Sequence, residues 1–159
     1  PFKKILRNLN IKSKDFNKIQ SDYSKYSILY HNKIKLFPNT LKTINAIKKK
    51  NTITIFTSKD RKRTIYFLKK FKLKFNYIIS GDDVKKGKPN PEGLLKIKKK
   101  YKANKNDIFY IGDTSFDFKA AKKGKINYIH ANWGVEKFYK KKKYHNIKII
   151  KNIRELLKI

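Results

Sequence analysis

The stretch Ile108-Phe109-Tyr110-Ile111-Gly112-Asp113-Thr114-Ser115-Phe116-Asp117-Phe118-Lys119-Ala120-Ala121 passes from a short apolar string through a Gly-Asp turn into a helix-forming segment that closes near Gly124. An apolar strand of this length followed at once by a helix is half of a βαβ unit. The same unit recurs on either side. Ile53 to Phe56 precedes a helical pattern containing Ile65 and Leu68, and Tyr77-Ile78-Ile79 precedes one that starts at Pro91 and carries Leu94, Leu95 and Ile97. Ile126 to Ile129 and Ile147 to Ile150 follow, and Ile153, Leu156 and Leu157 mark a last helix. Gly124 is placed to be the glycine that ends the helix after Asp117. Strand and helix in alternation predict an α/β fold, a parallel sheet with helices on both faces, in which ligands bind at the carboxyl ends of the strands.

Upstream the period is helical throughout. Phe2, Ile5, Leu6 and Leu9 form one set, and Phe16, Ile19, Tyr23, Tyr26 and Tyr30 form another behind the candidate cap Ser13. The tyrosines read as the apolar face of this segment rather than as a stacking platform. A turn at Phe37-Pro38-Asn39 ends the segment, and Leu41, Ile44 and Ile47 predict one more amphipathic helix before the strands begin.

The chain has 159 residues, 39% of them hydrophobic, which is enough for one core and argues against disorder. It contains no cysteine, so disulfides, thiolate zinc sites and cysteine nucleophiles are excluded. Lysines interrupt every apolar run before it reaches the ~20 residues that span a bilayer, so no membrane partner is expected. Methionine is absent even from position 1, which points to the later part of a longer reading frame. The formal charge of +32 raises nucleic acid as a partner. However, the basic runs at 48–50, 98–100 and 140–143 are scattered over helix ends and loops. The lysine excess also comes with Asn, Ile, Tyr and Phe, residues of A/T-rich codons, so nucleic acid is not expected as the primary partner.

Three strand ends carry polar groups on what would be one sheet edge: Thr57-Ser58, Lys88-Pro89-Asn90-Pro91 in the loop after the second strand, and Asp113 with Asp117. A carboxylate pair at a strand-to-helix turn is a hard-oxygen site suited to Mg²⁺. Gly112 would permit the sharp turn, Lys88 offers a point positive charge, and Thr57 offers a hydroxyl beside backbone N–H groups. Hydroxyl, cation and magnesium together describe a site for a phosphoryl group. Each residue also has a plainer role available: Thr57 ending a strand, Lys88 as one more surface lysine, Asp113 capping the helix that follows. Their order along the chain carries the functional reading.

That order resembles the haloacid dehalogenase (HAD) superfamily, and within it the phosphoglycolate phosphatase-like branch. ITIFTSKD (53–60), KGKPNPEGLL (86–95) and IFYIGDTSFDFKAAKKGKINYIHANWG (108–134) match its second, third and fourth motifs, the last together with its sequel. The resemblance implies a Rossmannoid core at residues 33–159, with residues 1–32 the C-terminal part of a helical cap. It implies an Mg²⁺-dependent hydrolase of small phosphate monoesters acting in the cytoplasm. Thr57 and Ser58 would bind the phosphoryl group, Lys88 would stabilise its charge, Asp113 would hold Mg²⁺, and Asp117 would support the metal or Lys88.

One departure is large. The family's nucleophile and acid/base stand on an Asp-x-Asp at the end of a strand before the cap, and this chain contains no Asp-x-Asp. Asp15 and Asp22 fall on predicted helices. The resemblance implies that the absent strand lies between the Thr57 strand and the Asp113 strand, so both should show unpaired edges and the sheet should not close well. A fragment of a longer phosphatase is the first expectation, and a catalytically inactive relative or a basic nucleic-acid-binding module are the alternatives. His31, His130 and His145 have no metal-ligand spacing and are expected at the surface or in packing, and Trp133 is expected to pack the loop after the fourth predicted strand.

Overall fold

The computed structural model describes residues 6–138 and 146–159. The helix positions Phe2 and Ile5, the basic run at 140–143 and His145 lie outside the described residues. A 3-10 turn at Ser13–Asp15 leads into α1 (Phe16–Leu29), and α2 (Thr40–Lys48) precedes the first strand. The chain then alternates: β1 (Thr54–Phe56), α3 (Arg61–Lys70), β2 (Tyr77–Ile79), α4 (Glu92–Lys100), β3 (Phe109–Gly112), α5 (Ser115–Lys123), β4 (Asn127–Ala131) and β5 (Lys148–Ile150). A 3-10 helix, Ile153–Lys158, ends it.

Every strand pair is parallel, as the βαβ pattern requires. The strands form two sheets rather than one, β1-β2 and β3-β4-β5. Thr54 lies opposite Tyr77 in the first, and Phe109 opposite Asn127 and Ile129 opposite Lys148 in the second. Among the described residues β1 pairs only with β2 and β3 only with β4, so the facing edges of the Thr57 strand and the Asp113 strand are the unpaired ones, as expected. Tyr110 spans the interval. Its hydroxyl lies 3.4 Å from the Phe56 carbonyl oxygen and its ring packs 6.3 Å from the Phe56 ring.

The two sheets share one core. Phe56 and Ile79 from the first pack with Leu94 and Ile97 of α4 and with Ala120 and Ala121 of α5, and Tyr110 and Tyr128 lean in from the second. The face of β3 opposite Tyr110 is more open, with Phe109 47% and Ile111 38% exposed. At the N-terminal end α1 packs on α3, while α2 packs against the terminal 3-10 helix.

Several local expectations need correction. Ser13 starts a 3-10 turn and does not cap α1, whose N-cap position is held by Asp15 without a side-chain bond. The last element is a 3-10 helix, with Asn152 and Glu155 forming a capping box at its start. Gly124 is right-handed (φ −78°), and the left-handed residue after α5 is Lys125 (φ 52°), whose successor Ile126 returns its N–H to the Ala121 carbonyl. Tyr23, Tyr26 and Tyr30 are each about half exposed, so the apolar face of α1 is only partly covered.

Candidate functional site

The site is built where β1 and β3 end. Thr57 continues β1 by donating its N–H to the Ile79 carbonyl at 2.9 Å. The Thr57 hydroxyl oxygen accepts the Lys59 N–H at 3.2 Å, which leaves its hydrogen free to donate outward. Ser58 is exposed. Its carbonyl lies against Gly81, where an added Cβ would come within 2.9 Å of it, so the loop following β1 is pressed onto the loop following β2. The Gly81 N–H to Lys59 carbonyl bond, at 2.7 Å, fixes that contact.

Lys88 is anchored from the other side. Its ammonium donates to Asp117 Oδ1 at 2.7 Å and reaches the Tyr110 hydroxyl at 3.1 Å, and it sits 5.2 Å from the centre of the Phe56 ring. The Lys88–Pro89 peptide is cis. Asp117 is 3% exposed and accepts five hydrogen bonds: Oδ1 takes Lys88 and the Tyr110 hydroxyl, and Oδ2 takes the N–H groups of Asp113 and Thr114 and the Thr114 hydroxyl. Burial alone would raise the pKa of this carboxyl. The Lys88 charge and the hydrogen bonds from Lys88, Thr114 and Tyr110 outweigh it and hold Asp117 below the usual carboxylate range. Burial, reinforced by the Asp117 charge, pushes Tyr110 upward, so its phenol remains a hydrogen-bond donor.

Asp113 is placed differently. Its Oδ2 accepts the Val135 N–H at 2.9 Å, and among the described residues Oδ1 has no hydrogen-bond partner. Gly134 makes that approach possible, since a Cβ there would stand 2.2 Å from Asp113 Cβ and 2.3 Å from Oδ2. Gly112 has a related role. It is not left-handed, as a turn glycine would be, but an added Cβ would meet Asp117 Cβ at 2.4 Å. The cap of α5 is Thr114 rather than Asp113, in a reciprocal box with Asp117. Glu136 braces the same loop by accepting the N–H and hydroxyl of Ser115, each at 3.0 Å. Behind it, His130 is fully buried, stacked 3.6 Å from Phe138, with Nε2 donating to the Glu136 carbonyl and Nδ1 accepting from Tyr128. Burial lowers its pKa, so the ring is neutral. His31 Nδ1 lies 2.8 Å from the Ile28 carbonyl, also a packing role.

Lys88 and Asp117 are thus in direct contact, with Asp113 next to them through its backbone, and Thr57 and Ser58 stand one and two residues past the Phe56 ring that Lys88 covers. No group of three His, Cys, Asp or Glu side chains able to hold a metal occurs among the described residues. Two carboxylates remain, and with Asp117 saturated only Asp113 has a free oxygen. Mg²⁺ keeps several waters and needs just one or two protein carboxylates beside a phosphate, so Asp113 fits it as a single protein ligand. Sequence reasoning missed Tyr110, Thr114 and Glu136. Thr114 carried a legible signal, a Thr followed three residues later by Asp ahead of an apolar run, whereas nothing local marks Tyr110 or Glu136.

The family model for haloacid dehalogenase-like hydrolases matches residues 1–131. A PpaX protein of Caldanaerobacter subterraneus subsp. tengcongensis, provisionally named a pyrophosphatase, is 28% identical over 141 residues, covering 86% of this chain and 64% of that protein. This chain therefore spans less than two-thirds of that relative's length. Among solved structures, a protein of Lactobacillus plantarum provisionally titled a phosphoglycolate phosphatase superposes with a TM-score of 0.86 at 20% identity, over 99% of this chain and 76% of that one. A haloacid dehalogenase-like hydrolase of Bacteroides fragilis, also a provisional title, gives 0.79 at 29% identity, over 91% of this chain and 71% of that one.

Proposed function

Because the chain belongs to the haloacid dehalogenase-like hydrolase family, we propose that its strand-end site binds the phosphoryl group of a small phosphate monoester and serves its Mg²⁺-dependent hydrolysis in the cytoplasm. The observation that carries this reading is the buried Lys88–Asp117 pair at 2.7 Å, aimed at the edge where Thr57 and Asp113 end their strands. An ammonium fixed by a carboxylate and a phenol cannot swing away, so it presents charge in a set direction without reorganisation. Thr57 contributes its outward hydroxyl hydrogen to a phosphoryl oxygen, with Ser58 beside it. Asp117 acts through Lys88 and through the backbone of Asp113 and Thr114. Asp113 would hold Mg²⁺, which when bound would supply positive charge to the phosphoryl oxygens.

The carboxylate that attacks phosphorus is not among these residues, since the sequence has no Asp-x-Asp. In the proposed reaction that carboxylate belongs to a strand outside this chain, seated between β1 and β3. It displaces the alcohol to form a phosphoaspartyl group, which water then hydrolyses. In this reading the described helical segment before residue 33, α1 included, belongs to the C-terminal part of a cap. In a protein that includes such a strand, Asp113→Ala should abolish Mg²⁺-dependent phosphate release from an aryl phosphate. Full activity in that variant overturns the assignment, as does an in-frame upstream sequence of about 80 residues with no apolar strand ending in Asp-x-Asp.

A further inference from the structure

Lysines that are scattered along the sequence come together in the fold. Between parallel strands each helix carries the chain back to the start of the next strand, so helix C-termini collect at the sheet edge opposite the candidate site. α2, α3, α4 and α5 end in this way before β1, β2, β3 and β4. Contacts join the four connections into one surface. Lys48 Nζ donates to the Lys74 carbonyl at 3.1 Å, and the Ile53 N–H donates to Asn76 Oδ1 at 3.1 Å. The Lys100 ammonium lies 4.8 Å from the centre of the Tyr77 ring, and Asn127 Nδ2 donates to the Lys105 carbonyl at 2.8 Å. Residues 48–53, 70–76, 99–108 and 122–126 hold thirteen lysines and a single carboxylate, Asp107, which accepts the Asn104 N–H. Among the described residues none of these lysines forms an ion pair. Asp60, Asp82, Asp83, Asp113, Asp117 and Glu136 all lie past strand carboxyl ends, at the other edge. The molecule is polarised, with its acids around the candidate site and a basic pole opposite.

Helix dipoles favour cations at C-termini, and A/T-rich codons favour lysine anywhere. Neither accounts for the residues just past the helices. After α3, α4 and α5 the left-handed residue is Lys72 (φ 53°), Lys102 (φ 49°) and Lys125 (φ 52°). Each is followed by an N–H that returns to a helix carbonyl, Leu73 to Leu68, Ala103 to Lys98 and Ile126 to Ala121. A left-handed backbone strains most residues with a Cβ, and asparagine is among the few that adopt it readily. Asparagine also has A/T-rich codons, and it holds the left-handed positions away from this pole, Asn10 (φ 56°) and Asn39 (φ 63°). At the basic pole lysine stands in all three such places, against the backbone preference. A band of cations across several strand starts suits anions spaced along a polymer better than one small anion. The exposed large apolar side chain of these connections is Tyr101, 37% exposed among Lys99, Lys100 and Lys102, with Phe109 exposed at the start of β3. An aromatic face among cations is a platform for an unpaired base. No Leu, Ile or Trp is exposed in these connections to enter a bilayer.

We propose that this basic pole is a binding surface for single-stranded nucleic acid, with phosphates held by the lysines of the four connections and a base stacked on Tyr101. It is separate from the phosphoryl site and does not depend on it. The test is fluorescence anisotropy of the full chain with a fluorescein-labelled oligothymidine of about 20 nucleotides, from about 50 to about 200 mM NaCl. Two charge-matched variants are compared. One carries Lys72→Asn, Lys102→Asn and Lys125→Asn at the basic pole. The other carries Lys14→Gln, Lys18→Gln and Lys25→Gln around α1, whose Ser24 bonds Asp60 at the opposite edge. The first should bind at least about tenfold more weakly at about 100 mM NaCl, with a log–log salt slope shallower by about 2, since each phosphate contact to a single strand contributes about 0.7. The second should stay within about threefold. Asparagine suits the left-handed positions, so the first variant should keep its urea midpoint, which separates lost binding from misfolding. Tyr101→Ala should weaken binding at least about fivefold, and Tyr101→Phe should not. Equal losses in the two triple variants overturn the proposal by assigning the binding to net charge, and absent binding or binding insensitive to salt overturns it as well. Unchanged affinity in Tyr101→Ala overturns the single-strand assignment. Recruitment to vesicles with about 30% phosphatidylserine, without oligonucleotide binding, overturns it in favour of a lipid surface.

Discussion

Asp117 shows how much a single side chain can be asked to do: it is salt-bridged, closes a helix cap and accepts a phenol, all while 3% exposed. Removing one partner of such a pair leaves an uncompensated buried charge, so Lys88→Ala should cost about 3–5 kcal/mol, read as a lowered urea midpoint, and Lys88→Ala with Asp117→Asn should recover part of the loss. Asp117 also titrates with a definite sign. The folded pKa of Asp117 lies below its unfolded value of about 3.9, so its stabilisation is present at neutral pH and disappears as pH falls through the folded value. His130 acts in a different window. Its folded pKa is lowered, so below about pH 6.5 the unfolded chain takes up a proton that the buried ring refuses, and stability falls with pH from that point. Urea midpoints measured between pH 7.5 and 5 should decline in the unaltered chain and flatten in His130→Gln; an equal decline in both would remove His130 as the cause.

At the scale of the element, α5 depends on its first turn. Thr114 Oγ1 accepts the Asp117 N–H at 3.2 Å while donating to Asp117 Oδ2 at 2.6 Å. Thr114→Ala should cost about 0.5–2 kcal/mol from the cap alone, whereas Thr114→Ser should cost far less, a contrast that thermal unfolding can resolve. The helices and strands were largely legible in the sequence, because apolar runs of three to five residues and period-3.6 stripes follow directly from burial on a sheet or along a helix face. The strand after Asn51 and the helix from Pro91 fall within a residue or two of where they were expected. The misses share a cause. Whether Gly124 or Lys125 turns left-handed, and whether Gly112 serves a turn or a close contact, depends on what lies across the space from each, and a linear pattern does not contain that. The same holds for the site: its hydroxyl, cation and carboxylates were named from chain order, but Tyr110 and Glu136 entered only through pairings over seven and twenty-one residues of separation.

For the whole molecule the governing facts are the charge of +32 and two sheets held by one core. Like charges spread over a small surface repel in the compact state, and added salt screens them within about 10 Å at 0.1 M. The urea midpoint should therefore rise from low salt to about 0.3 M NaCl; a midpoint that falls over this range would show that attractive ion pairs dominate instead. In the described residues no helix is long and apolar enough to cross a membrane.

The loop that carries Gly134 onto Asp113 includes Trp133, the single tryptophan of the chain. Trp133 neighbours in sequence the Gly134 backbone that packs on Asp113, so its emission is expected to change if Mg²⁺ binds there. A Mg²⁺ titration excited at the tryptophan band would test the proposed binding with no label, no coupled assay and no turnover, and an unchanged spectrum at saturating Mg²⁺ would count against it.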